Sequence, residues 1–130
     1  MRFIPTRVHG VMDYIVGALL IASPWLFGFA AGGAETWVPV VLGAMALVMS
    51  LMTDYELGLV PKIGVRMHLN MDLISGILLA ASPWLFGFAD YIWAPHLVFG
   101  LFEIMASLTT LTSPAQHVNR ASAGHHPVVG

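Results

Sequence analysis

The sequence predicts an all-α membrane protein: four transmembrane helices, arranged as two parallel two-helix repeats that form a bundle. Three observations predict it. The 130 residues are 58% hydrophobic and only 9% charged, against roughly 25% charged residues in an ordinary soluble domain, and their mean hydropathy is +0.81. Four apolar stretches each approach the ~20 residues that span ~30 Å of hydrocarbon. The string ASPWLFGFA occurs twice, at residues 22–30 and 81–89.

The first segment, residues 11–30, follows Arg2 and Arg7 and precedes the small residues of FAAGGA, so it could be read as a cleaved signal sequence. Its apolar motif recurs at 69–89, inside the chain where no signal sequence acts, and both copies are therefore expected to be retained helices. The second segment, residues 37–53, is the shortest. The fourth covers residues 93–111. Cysteine is absent, which excludes disulfides, thiolate catalysis and cysteine metal sites.

All five basic residues fall on one side of this plan: Arg2 and Arg7 before the first helix, Lys62 and Arg66 between the second and third, Arg120 after the fourth. Both termini and the middle loop are expected in the cytoplasm, because basic loops stay there. Trp25, Trp37, Trp84 and Trp93 then form an aromatic belt at the outer face. The chain reads as a single membrane domain over residues 1–130, with a first repeat at about 8–53, an interfacial linker at 54–67, a second repeat at about 68–112 and a cytoplasmic tail at 113–130.

The repetition extends beyond nine residues. His9, Met12, Asp13, Ile15 and Gly17 correspond to His68, Met71, Asp72, Ile74 and Gly76, in step with the two Ser-Pro-Trp motifs, Ser23-Pro24-Trp25 and Ser82-Pro83-Trp84. Trp37 and Pro39 answer Trp93 and Pro95; one residue out of step, Gly43, Ser50 and Thr53 answer Gly100, Ser107 and Thr110. Each unit is an antiparallel helix pair, so the two are related about an axis along the membrane normal. Small and polar residues share one stripe of the first helix, as expected where helices approach closely in lipid. Pro24 should free the Leu20 carbonyl, and Ser23 is placed to satisfy it. The alternative makes Ser23 the N-cap of a short second helix that begins at Pro24.

The tandem H-x-x-M-D, G and S-P-W-L-F-G-F units, with the linker TDYELG, resemble the SPW-repeat family of small prokaryotic integral membrane proteins over most of residues 8–111. The resemblance implies a prokaryotic membrane protein of paired two-helix units, and the plasma membrane is the expected location. It implies no activity, and no catalytic residue is carried over from it.

Two constellations could carry chemistry. His9 and Asp13 share a helical face, as do His68 and Asp72, and the repeat sets both pairs at one depth near the cytoplasmic boundary. Four converging ligands of this kind suit zinc, since imidazole and carboxylate match its tetrahedral preference; two facing histidines could instead hold a haem. The structural alternative is a His-to-Asp bond that ties the repeats together, with no cofactor. His96, Gly100, Glu103, Ser107 and Thr110 lie within about 80° on the last helix. Glu103 is ~15 Å from Trp93, near the midplane, where an ionisable residue is by default a functional candidate. Its counterpart in the other repeat is Ala46, so the packing plan does not require an acid. A protonated Glu103 bonded to a hydroxyl or carbonyl, with Ser23 and Ser82 at comparable depth, is the structural alternative.

Residues 54–67 read as an interfacial loop whose Lys62 and Arg66 set topology. The tail is expected to be disordered, and His125 and His126 are a weak metal signal. No phosphate loop, paired nucleophile or nucleic-acid patch is present, so an enzyme is the least supported class. The leading expectation is a small membrane scaffold or accessory subunit that binds itself or a larger complex in the bilayer, without nucleic acid. The alternative is a proton, ion or small-solute transporter that uses Glu103, or a protein that binds metal or haem through the His/Asp pairs.

Overall fold

The computed structural model describes residues 2–112, in which four helices follow one another: α1 (Thr6–Leu26), α2 (Ala34–Met52), α3 (Val65–Leu85) and α4 (Ala94–Thr109). Among the described residues no β-sheet forms; two isolated bridges join Ile4 to Thr110 and Thr53 to Ile63. The expectations for Arg120, His125, His126 and the rest of the tail lie outside the described residues. α1 packs chiefly on α2, and α3 on α4. At the α1–α2 crossing a Cβ added to Gly43 would stand 2.7 Å from the Gly17 carbonyl oxygen, and at the α3–α4 crossing one added to Gly76 would stand 2.9 Å from that of Gly100. Glycine at these positions is what lets the backbones meet.

α1 and α3 each begin and end four or five residues earlier than the sequence suggests. At the start, Pro5 and Gly64 hold extended backbone at the N-cap, which draws Arg7, His9, Arg66 and His68 into the helices. At the end, the Ser-Pro-Trp motif is the last helical turn and the following Phe-Gly-Phe turns the chain. Pro24 has no N–H to offer the Leu20 carbonyl; the Ser23 hydroxyl donates to that carbonyl instead, at 2.8 Å, and Ser82 does the same for Leu79 at 2.7 Å. α1 runs unbroken through Ser23, which corrects the alternative of a second short helix beginning at Pro24.

The rest of the motif is a helix stop. Gly28 and Gly87 adopt left-handed backbone, φ 73° and 75°, just past the C-caps Phe27 and Phe86. The next residue's N–H then reaches back to the proline carbonyl: Phe29 to Pro24 at 2.8 Å and Phe88 to Pro83 at 2.8 Å. This is the six-to-one closure of a Schellman motif, and the following phenylalanines are buried as that motif favours. The proline therefore loses a donor but supplies the acceptor that ends the helix.

The other helix ends are closed from outside. The Phe3 and Ile4 N–H groups donate to the Thr109 carbonyl, and the Lys62 and Ile63 N–H groups donate to the Met52 carbonyl. The segment before α1 thus caps α4, and the segment before α3 caps α2. Arg2 adds bonds to the carbonyls of Ser107 and Thr110, at 2.9 and 2.8 Å. These closures hold Thr110 beside α1 and Thr53 beside α3, which is what builds the site described below.

The bundle is polar inside and apolar outside. Among the described residues fifteen polar or charged ones are buried, including the four His/Asp residues, His96, Glu103 and six hydroxyl residues on or at the ends of the helices α2 to α4. Large apolar side chains point outward on every helix, such as Ile15, Val41, Ile77 and Met105. Among the described residues the apolar core falls into two small clusters, Val16, Leu20, Leu42 and Leu79 between the helices and Tyr55, Val65 and Leu69 beside the linker. Water-soluble domains do the reverse with their charged groups. α1 and α2 are long and apolar enough to cross a membrane; α3 carries more polar residues and α4 has 16 residues.

Candidate functional site

His9 and Asp13 stand one turn apart at the start of α1, and His68 and Asp72 stand likewise on α3. The structure brings all four together, each about 3% exposed. Nε2 of His9 lies 2.8 Å from Oδ2 of Asp72 and 3.0 Å from Oδ2 of Asp13. Nε2 of His68 lies 2.6 Å from Oδ2 of Asp13 and 3.1 Å from Oδ2 of Asp72. Nitrogen and oxygen alternate around a closed four-membered ring, and the shorter pair of edges crosses from one helix to the other.

Each imidazole is fixed from behind by a threonine. Thr110 Oγ1 lies 2.7 Å from Nδ1 of His9, and Thr53 Oγ1 lies 2.6 Å from Nδ1 of His68. Each threonine donates its one proton to the carbonyl four residues earlier, Ala106 and Met49, at 2.6 Å. A hydroxyl whose proton is committed can only accept, so both Nδ1 atoms carry hydrogen. That leaves both Nε2 atoms aimed at the carboxylates. Thr53 and Thr110 were legible as a matched pair in the sequence, yet their role as orienting groups was not.

The arrangement corrects the haem expectation. The two imidazoles stand edge to face, centroids 5.7 Å apart, and the Asp13 and Asp72 oxygens fill the plane that a porphyrin between them would occupy.

The second constellation does not converge. His96 is wedged between Phe29 and Phe88, centroids 5.1 and 4.8 Å away, and its Nε2–H donates to the Glu35 carbonyl at 2.9 Å. Ser107 donates to the Ile104 carbonyl at 2.9 Å. Glu103 is 5% exposed and makes no hydrogen bond among the described residues, which corrects the expected bond to Ser23 or Ser82; those hydroxyls serve the Leu20 and Leu79 carbonyls. Glu103 instead faces a cavity of about 10 Å³ that it shares with Asp72, Ser75, Ala46, Leu20 and Leu79. Such a space suits a single water with two or three polar neighbours.

The SPW repeat domain family matches residues 7–110, which takes in both Ser-Pro-Trp motifs and the whole His/Asp ring. The chain belongs to the SPW repeat domain family. No curated protein and no solved structure matches it. Family membership and the apolar α1 and α2 describe a small helical membrane protein. In this SPW repeat protein the motif's serine and proline are interior and its tryptophan is exterior: Trp25 and Trp84 are 61% and 57% exposed.

Proposed function

We propose that this SPW repeat protein is a four-span component of the prokaryotic plasma membrane, with both termini cytoplasmic, that works as a scaffold or accessory subunit through its outer surface. One observation carries the reading. The cavities at the His/Asp ring and at Glu103 measure only about 10 Å³ each, while every helix presents large apolar side chains outward. A closed interior braced by a polar ring gives a rigid body whose free surface is the face available to lipid, to a second copy or to a larger complex. Helices associate in lipid through close packing and a few polar contacts, and the SPW units supply both within the bundle. No catalytic role is proposed.

Native mass spectrometry directly from membrane vesicles tests this. A stoichiometric homo-oligomer or complex is expected, and a lone monomer throughout would sink the scaffold reading. Reporter fusions after Gly33 and at Gly130 should report opposite compartments; the same compartment for both would remove the four-span topology.

A second reading is favoured by one residue. Glu103 is a buried acid without a hydrogen bond among the described residues, beside a water-sized cavity that also touches Asp72. That is what a proton or ion path would use.

A further inference from the structure

We propose that His9, Asp13, His68 and Asp72 form a two-nitrogen, two-oxygen site for one divalent transition-metal ion, zinc foremost, at the seam between the two SPW units. The inference goes beyond the scaffold reading and does not depend on it. Its first support is the orientation of the imidazoles. Because the Thr53 and Thr110 hydroxyls accept from Nδ1, each neutral histidine presents its Nε2 lone pair to the centre, and this outer-shell arrangement is how metal-binding histidines are ordinarily fixed.

The second support is the number of short contacts. Four N–O edges of 2.6 to 3.1 Å surround the centre. Two carboxylates are balanced there by either two protons or one dication. Two protons make at most two straight hydrogen bonds, and the other two edges would be poorly aligned. A central cation engages all four atoms at once. The ligand atoms lie within 4.8 Å of one another. A tetrahedron with bonds of ~2.0–2.1 Å has all six ligand separations at roughly 3.3 Å, so binding opens the four short edges by about 0.2–0.7 Å and folds the ring so that its wider diagonals close toward the same value.

The donor set selects the metal class. Imidazole nitrogen with carboxylate oxygen suits zinc and its first-row neighbours, whereas magnesium and calcium favour oxygen alone. Four protein ligands close the coordination sphere, the pattern of a structural rather than a catalytic zinc. The ring is bordered on its linker side by a second cavity of about 10 Å³, lined in part by Thr6, Tyr55 and Val65. It lies toward the end of the bundle where the chain segments before α1 and α3 close the helix ends.

The test uses the full chain, purified in detergent without a histidine tag, stripped with chelator and reloaded with zinc or cobalt(II). One zinc per chain is expected by elemental analysis, together with the intense visible bands of four-coordinate cobalt. His125→Ala/His126→Ala should keep that stoichiometry, which separates the ring from the tail histidines. Asp13→Asn/Asp72→Asn preserves side-chain shape and should lose the metal. Thr53→Val/Thr110→Val leaves all four ligands in place and should weaken zinc by about 10–100-fold in chelator competition. Should the Asn variant not fold, the wild-type cobalt spectrum and the Thr53→Val/Thr110→Val affinity decide. Substoichiometric zinc in the wild type, a pale six-coordinate cobalt spectrum, unchanged affinity in the valine variant, or full zinc in a folded Asn variant would each overturn the site.

Discussion

The Ser82 hydroxyl donates to the Leu79 carbonyl at 2.7 Å, filling the bond that Pro83 cannot make. Ser23 does the same for Leu20 at 2.8 Å. Both serines are buried, 0% and 1% exposed. Replacing either with alanine leaves a buried carbonyl without its partner, and the expected loss is about 1–3 kcal/mol. Thermal unfolding in detergent of Ser82→Ala and Ser23→Ala checks this. Melting curves that overlay the wild type would mean that the serine is not what makes the proline tolerable.

Gly28 and Gly87 offer a cleaner backbone test. Nothing lies within 4 Å of a Cβ built on either, so substitution meets no neighbour, only the left-handed φ. Gly87→Ala should therefore destabilise by about 1–2 kcal/mol, and Gly87→Asn by less, since asparagine visits this region more readily. If alanine and asparagine are equally tolerated, the Phe-Gly-Phe turn is not the helix stop described above.

How far the sequence exposed all this differs from residue to residue. The partnership of His9, Asp13, His68 and Asp72 was legible because four-residue spacing fixes a helical face and the repeated motif fixes depth. The threonines behind the imidazoles were not, since their role depends on the Ile4 and Ile63 segments folding back on α4 and α2, a long-range closure without periodic signature. Helical rotation put His96, Glu103 and Ser107 on one face of the last helix, and in the fold all three are buried. It could not make them meet, because eleven residues of helix from His96 to Ser107 rise ~16 Å. The end of α1 was misplaced because apolar periodicity runs on through Phe27 and Phe29, while glycine geometry stops the helix.

Glu103 separates the two functional readings. Under the scaffold reading Glu103→Gln keeps the fold and the assembly, because the amide retains the shape and the other unit manages with Ala46 at the corresponding position. Under the conduit reading the same change abolishes flux from a folded protein. Proteoliposomes carrying either form, under gradients of protons and common ions, distinguish these outcomes. Flux in the wild type that the Gln variant lacks would favour the conduit.

Tyr55, in the linker between α2 and α3, should set an alkaline limit to stability. Its phenol is 5% exposed, packs 6.1 Å from the His68 ring and has no hydrogen-bond partner among the described residues. Gly10 makes room for it, since a Cβ there would overlap the tyrosine ring. Burial raises the phenol above the ordinary tyrosine value; the neighbouring Ser50 hydroxyl works against this, while Tyr14 and the Asp13 carboxylate push with it. Below about pH 10 the phenol is protonated in folded and unfolded chains alike, and its contribution is fully present. Above that value the unfolded chain ionises while the buried phenol does not, so stability falls as the pH climbs toward the raised value. Tyr55→Phe keeps the ring in its place and should melt near the wild type at pH 7, yet hold more of that stability above pH 10. Parallel decline of the two proteins across the alkaline range would show that Tyr55 is not the titrating group.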